Sequence, residues 1–155
     1  NGRAHGGGCE MALSTDIRIC ADTAAFAVPE VKRGLIPGLA VILMCRCINP
    51  ADALYLCLTG EEVSAQEALR IGLVSKVVPA AELMNAAHAI AETLKDNAPL
   101  AVQTVKKVVK AGGQMPMEHA NMMNQPLLAV IMKSEDSLEG ALAFAQKRKP
   151  DWKGK

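Results

Sequence analysis

Aromatic side chains are nearly absent from this sequence: two Phe, one Tyr and one Trp among 155 residues. Half of the residues are nevertheless apolar. The core therefore has to be assembled from Ala, Val, Leu, Ile and Met, a set that suits closely packed helices. A charge excess is missing as well. The formal net charge is +1, which argues against a nucleic-acid binder, whose affinity needs a basic field. No run approaches the ~20 consecutive apolar residues that a membrane-spanning helix requires, and no segment reads as a secretory signal. The five cysteines are odd in number, scattered, and form no Cys-x-x-Cys pair. That usage fits a reduced cytosolic or organelle-matrix protein better than a disulfide scaffold. Cys45-x-Cys47 is the one close pair, and no second ligand pair follows it, so no zinc site is expected. A Gly-x-Ser-x-Gly nucleophile elbow is missing too, which removes the esterase reading of His5-Gly6-Gly7-Gly8.

What is present falls into two parts. Gly6-Gly7-Gly8 reads as a tight turn free of Cβ atoms, with a short helix starting from Cys9 to Leu13. Ile17 to Ala21 alternates apolar and charged and reads as a strand, and Ala25 to Val28 reads as another, closed by Pro29. A loop from Gly34 to Gly38 follows. From there the pattern turns helical, over 40–48, 51–58, a segment opened by Ser64-Ala65-Gln66-Glu67 as a capping box, 81–96, 99–111, 117–133 and 135–147. A further short strand is expected over 73–78. The tail from Lys147 to Lys155 is basic and reads as an arm. So few short strands need more sheet or a covering layer. The chain also opens Asn1-Gly2-Arg3 without Met and enters a glycine cluster at once. The expectation is therefore a truncated protein whose remaining sheet lies upstream.

Two signals carry chemistry. Glycines before a helix start let backbone approach a ligand and aim unbonded N–H groups outward, a geometry that can hold an oxyanion. The plainer reading is a glycine-rich turn. Glu10 lies among Cys9, Met11, Ala12 and Leu13, and Glu30 follows an apolar strand and Pro29. A carboxylate in apolar surroundings is costly unless paired or functional, and two around one water can do general acid and base work. The plainer reading is a pair of surface charges. His88 and His119 sit on helices without a partner ligand, and the eight Met residues read as core or interface filler.

The combination resembles a known family. Asn1-Gly2-x-Ala4-x-Gly6-Gly7-Gly8-x-Glu10, Asp16-Ile17-Arg18-Ile19 and Pro29-Glu30-Val31-x-x-Gly34-Leu35-Ile36-Pro37-Gly38 resemble the crotonase (enoyl-CoA hydratase/isomerase) signature. Leu58-Thr59-Gly60, Gly72-Leu73-Val74, Ala98-Pro99-Leu100-Ala101 and Lys147-Arg148-Lys149-Pro150 extend the likeness along the chain. The resemblance implies an α/β fold with part of a crotonase-like (ββα)-turn core over 1–80, followed over 81–155 by a helical region that trimerises. It implies hydration of a trans-2-enoyl-CoA to 3-hydroxyacyl-CoA, with an acyl-CoA as substrate and no metal or redox cofactor. The assembly it implies is a homo-oligomer, a trimer or dimer of trimers, with neither nucleic acid nor membrane as partner.

Residue by residue, the resemblance gives Gly7 one oxyanion N–H and makes Glu10 and Glu30 the catalytic pair that holds the water. Gly38 offers its N–H to that water. Phe144 and Lys147 match positions that reach the CoA of a neighbouring subunit. The shared water predicts that the carboxylates of Glu10 and Glu30 approach one another although 20 positions apart. Two departures stand out. The family's other oxyanion N–H lies upstream of Asn1, so the chain alone is expected to hydrate poorly; one lost donor is worth roughly 10²–10³ in rate. Leu39 to Cys45 is bulkier and more apolar than the family's glycine-rich, arginine-containing stretch, which reads either as a narrowed acyl pocket or as a spoiled site. The alternatives are a double-bond isomerase, which works with one carboxylate, and a truncated homologue without catalysis.

Overall fold

A computed structural model describes all residues, Asn1–Lys155. The chain divides into two units, Asn1–His88 and Ala89–Lys155. The first holds every strand. β1 (Arg3–His5) pairs in parallel with β3 (Ala25–Ala27), which pairs antiparallel with β4 (Val63–Ser64). β2 (Ile19–Ala21) pairs in parallel with β5 (Lys76–Val78). Between them lie α1 (Gly7–Leu13), a 3₁₀ turn at Pro29–Arg33, α2 (Ala40–Cys47), α3 (Pro50–Thr59) and α4 (Ala65–Arg70). A second 3₁₀ turn at Ala80–Glu82 leads into α5 (Leu83–Lys95).

Local chemistry sets these boundaries. Asn49 caps α3 by accepting the Ala51 N–H at 2.8 Å, Pro50 fills the first turn, and Gly60 ends the helix in the left-handed region at φ 60°. Ser64 caps α4 by accepting the Glu67 N–H at 3.3 Å. Only that half of the expected capping box forms, because the Glu67 carboxylate turns to Arg70 instead. β5 is shorter than the strand expected over 73–78. The N–H groups of Leu73 and Val74 both go to the Ala68 carbonyl, closing α4 rather than joining a ladder. β1 and β4 are too brief to leave an alternation in the sequence.

The core of this unit is as poor in aromatics as composition requires. Phe26 is its one ring, and Met44, Leu56, Leu73 and Val28 are its largest fully buried side chains. Buried Ala24, Ala40, Ala53, Ala65 and Ala68 let backbones approach closely. Gly60 is one such approach: a Cβ there would stand 3.1 Å from the Pro29 Cα. The end of α3 thus packs directly against the turn that carries Glu30.

The second unit comprises the end of α5, α6 (Pro99–Gly112), α7 (Met117–Met132) and α8 (Glu135–Ala145). α6 and α7 pack on each other, and α7 continues through Pro126. The tail after α8 is not the free arm that its charge suggested. Asp136, buried on α8, accepts the N–H groups of Lys153 at 2.6 Å and Gly154 at 3.0 Å. Glu139 takes the Arg148 guanidinium in a two-point bond and the Asp151 N–H, and its carboxyl is held down to about 2, chiefly by Arg148. The Trp152 ring lies over Gly140, where a Cβ would be 3.3 Å from it, and its indole N–H donates to the Asp96 carbonyl at 2.8 Å. A charged segment folds back because two carboxylates on α8 and the Asp96 carbonyl just after α5 claim its donors.

Three outcomes are expected. Trp152→Phe keeps the stacking and loses the indole bond, costing about 1 kcal/mol, while Trp152→Ala costs about 2–3 kcal/mol, read by urea unfolding with circular dichroism. Cys9 is completely buried, and burial, with Glu30 next in weight, pushes its thiol from 9.0 up to about 12. A raised native value stabilises the fold below the unfolded thiol's value and is lost as pH climbs from about 9 towards about 12. Wild type should therefore lose stability over that window more steeply than Cys9→Ala. Iodoacetamide should label exposed Cys45 and spare Cys9 in the native chain.

Candidate active site

Gly6 is where the site begins. Its backbone stands at φ 53°, ψ −123°, a conformation open essentially to glycine alone. Its N–H donates to the Ala27 carbonyl at 2.9 Å, tying the end of β1 to the end of β3. Its carbonyl accepts the N–H groups of Cys9 at 2.9 Å and Glu10 at 3.0 Å, which starts α1. Gly7 and Gly8 form the first turn of that helix, where N–H groups have no carbonyl of their own helix to reach. Both are exposed, and a Cβ on either would meet nothing within 4 Å. The backbone at Gly7 is thus approachable from outside.

Glu10 points at the start of α2. Its Oε1 accepts the N–H of Leu39 at 2.6 Å and of Ala40 at 3.0 Å. No side chain at Leu39 can cap α2, so a carboxylate borrowed from α1 closes it. A helix N-terminus favours negative charge. Gly38 sits beside this contact, where a Cβ would be 3.6 Å from Glu10 Oε1. The Leu39 and Ala40 amides were not among the residues picked out by sequence. The available signal was a helix start following Pro37-Gly38 with no Ser, Thr, Asp or Asn to cap it.

Glu30 has a different setting. It sits in the first turn after Pro29, half-buried. Its Oε2 is buried and accepts no hydrogen bond from the protein. Its Oε1 lies 2.8 Å from where a Cβ on Gly6 would stand. Glu10 and Glu30 both act on the same buried thiol, since each helps raise Cys9. One carboxyl is thus engaged by two amides and the other has an unpartnered oxygen. His5, which precedes the glycines, pairs with Glu62, its Nε2 being 2.7 Å from the carboxylate.

Phe144 and Lys147 belong to the second unit. Phe144 is 89% exposed, near the end of α8. Lys147 is the one non-glycine residue with positive φ, at 53°. It ends α8 in a Schellman motif: its own N–H goes to the Phe144 carbonyl at 3.2 Å, and the Arg148 N–H to Ala143 at 3.1 Å. Glycine is the usual residue at that place, and a lysine holds it at a conformational cost. His88 and His119 lie exposed on helices.

Comparison with known proteins meets this geometry from another side. The family model described as enoyl-CoA hydratase/isomerase matches residues 1–155. A carnitinyl-CoA dehydratase of Escherichia coli is 42% identical over the whole of this chain, and one of Proteus mirabilis is 41% identical. The chain spans 61% of the length of each. Among solved structures, an enoyl-CoA hydratase from Bacillus anthracis superposes with a TM-score of 0.98 at 37% identity, covering all of this chain and 60% of that one. An enoyl-CoA hydratase from Mycobacterium tuberculosis gives 0.94 at 36% identity, covering all of this chain and 62% of that one. With the whole sequence matched by the family model and the whole fold shared with these structures, the chain belongs to the enoyl-CoA hydratase/isomerase family, the crotonase superfamily.

Proposed function

We propose that the protein adds water to a trans-2-enoyl-CoA to give the 3-hydroxyacyl-CoA, and catalyses the reverse dehydration. The observation that carries this reading is the unequal pair of carboxyls. Glu10 Oε1 is occupied by the Leu39 and Ala40 amides, which leaves Oε2 to take a proton from water. Water oxygen then bonds to the β-carbon, and the double-bond electrons move onto the thioester oxygen. Glu30, with an oxygen free of protein partners, enters as the acid and delivers its proton to the α-carbon, and the proton that Glu10 took from water restores it through solvent. The exposed N–H of Gly7 holds the thioester oxygen while it carries negative charge, and that of Gly38 steadies the water. Phe144 and Lys147 reach the CoA of a neighbouring subunit, the lysine by charge and the exposed ring by stacking. The steps are proton transfer and addition of water, with no net oxidation or reduction, so the reaction asks for no metal or redox cofactor.

The relatives' name, carnitinyl-CoA dehydratase, describes the same bond chemistry in the direction of water loss. It supports a lyase acting on an acyl thioester, with the acyl group open. A double-bond isomerase is the second reading, because it needs one carboxylate to move one proton. The second unit supports a homo-oligomer. A groove of about 280 Å³ between α6 and α7 is lined by Val105, Val109, Leu128 and Ile131, and Met117 and Met132 are also exposed. Apolar surface of that kind marks an interface.

Hydration is read as loss of the enoyl-thioester absorbance of crotonyl-CoA, in a version extended N-terminally to the relatives' length. Glu10→Gln and Glu30→Gln should each lower kcat by about 10²–10⁴. If one of the two has no effect on turnover, the isomerase reading replaces this one. Light scattering should give a mass of three or more chains, and a monodisperse monomer would remove the oligomer.

A further inference from the structure

Three glycines stand in a row, and the structure sets the first apart. Gly7 and Gly8 have open space where a Cβ would be. At Gly6 the added atom would sit 2.8 Å from Glu30 Oε1 and 3.8 Å from its carboxyl carbon. A contact under 3 Å is tighter than carbon and oxygen tolerate, so the Glu30 carboxyl lies directly against bare backbone. The other oxygen, Oε2, is buried and accepts no hydrogen bond. Packing, rather than a hydrogen bond to that oxygen, therefore locates the carboxyl. The same residue is fastened on both sides. Its N–H holds the Ala27 carbonyl, three residues before Glu30, and its carbonyl receives the Glu10 N–H. Through Gly6 the strand leading to one carboxylate is fixed to the helix bearing the other.

We infer that Gly6 is a positioning residue for Glu30, its bare Cα being the wall against which the proton-delivering carboxyl rests. Its left-handed φ alone would explain a glycine there; the contact with Glu30 adds a second constraint that φ does not supply. A methyl group at this point moves the Glu30 carboxyl away from the α-carbon it serves, and stands at neither of the positions assigned to CoA, Phe144 and Lys147. The consequence for rate rests on the hydratase reading, while the packing relation between Gly6 and Glu30 does not.

The test has two arms. Thermal midpoints are measured for the wild-type chain, Gly6→Ala, Glu30→Ala and the double variant, so that backbone strain at position 6 cancels in the comparison. Gly6→Ala should lower the midpoint by about 3 °C more when Glu30 is present than when it is trimmed, the scale of a coupling near 1 kcal/mol in a chain of this size. Folding of Gly6→Ala only in the Glu30→Ala background supports the inference in the same way. Equal shifts in both backgrounds, or folding in neither, overturn it, because strain alone then governs the position. In the extended enzyme, Gly6→Ala should reduce kcat about 100-fold and leave KM for crotonyl-CoA within about threefold, the split expected of a displaced proton donor. A loss confined to KM also overturns it. If Glu30→Gln leaves hydration untouched, or the extended enzyme does not hydrate, the hydratase reading fails and the thermal comparison alone decides the role of Gly6.

Discussion

The Glu10 carboxylate closes a helix that is not its own, and much of the first unit is arranged around that bond. α2 begins without a capping side chain, and its first amides find their protein acceptor in Glu10, held there by α1. α1 in turn starts from the Gly6 carbonyl, which stays in position because the Gly6 N–H is bonded to Ala27. An unsatisfied amide inside a protein costs as much as the bond it forgoes. The chain of dependence β3, Gly6, α1, Glu10, α2 thus runs through hydrogen bonds in series, of which the one to buried Ala40 is the costliest to lose. It also means that the residue proposed to act as base has a structural duty, and its two oxygens divide the labour.

Glu30 is held by different physics. No partner satisfies its buried oxygen, and it is bounded by backbone: Gly6 on one side, and the Pro29 turn against the end of α3 at Gly60 behind it. Two acids that must do opposite things are best placed in unlike settings, and here one is fixed by donors and the other by shape. Both carboxylates help raise Cys9, a completely buried thiol whose burial is the largest cause of its upward shift. It fills space in the core without adding a charge.

The helices were the most legible part of the sequence. Asn49-Pro50, Thr59-Gly60, Ser64 and Pro99 are local punctuation, and local rules read them to within a residue or two. The three-residue strands were harder. β1 and β4 exist because partners distant in sequence pair with them, and so short a segment carries no period of its own. Of the candidate site, Glu10 and Glu30 could be singled out as carboxylates in apolar surroundings, but what holds each could not. The amides of Leu39 and Ala40 carry no side-chain signature, and three consecutive glycines look alike until a carboxyl is seen against one of them. The tail misled for a related reason. Its lysines suggested a solvated arm, whereas its backbone donors, invisible to composition, are claimed by Asp136 and Glu139.

Lys147 leaves one consequence to draw. A left-handed lysine costs the fold roughly 1–2 kcal/mol that a glycine would largely spare it. The place it occupies is the carbonyl end of α8, the negative pole of that helix, and Arg148 and Lys149 follow it directly. Cations are favoured at that pole by about 0.3–1 kcal/mol each. Part of the backbone penalty is thus returned by the field of the helix itself. The lysine can keep its ammonium at the surface, 11 residues from the Asp136 that anchors the tail, and the helix end becomes a fixed source of positive potential rather than a flexible one.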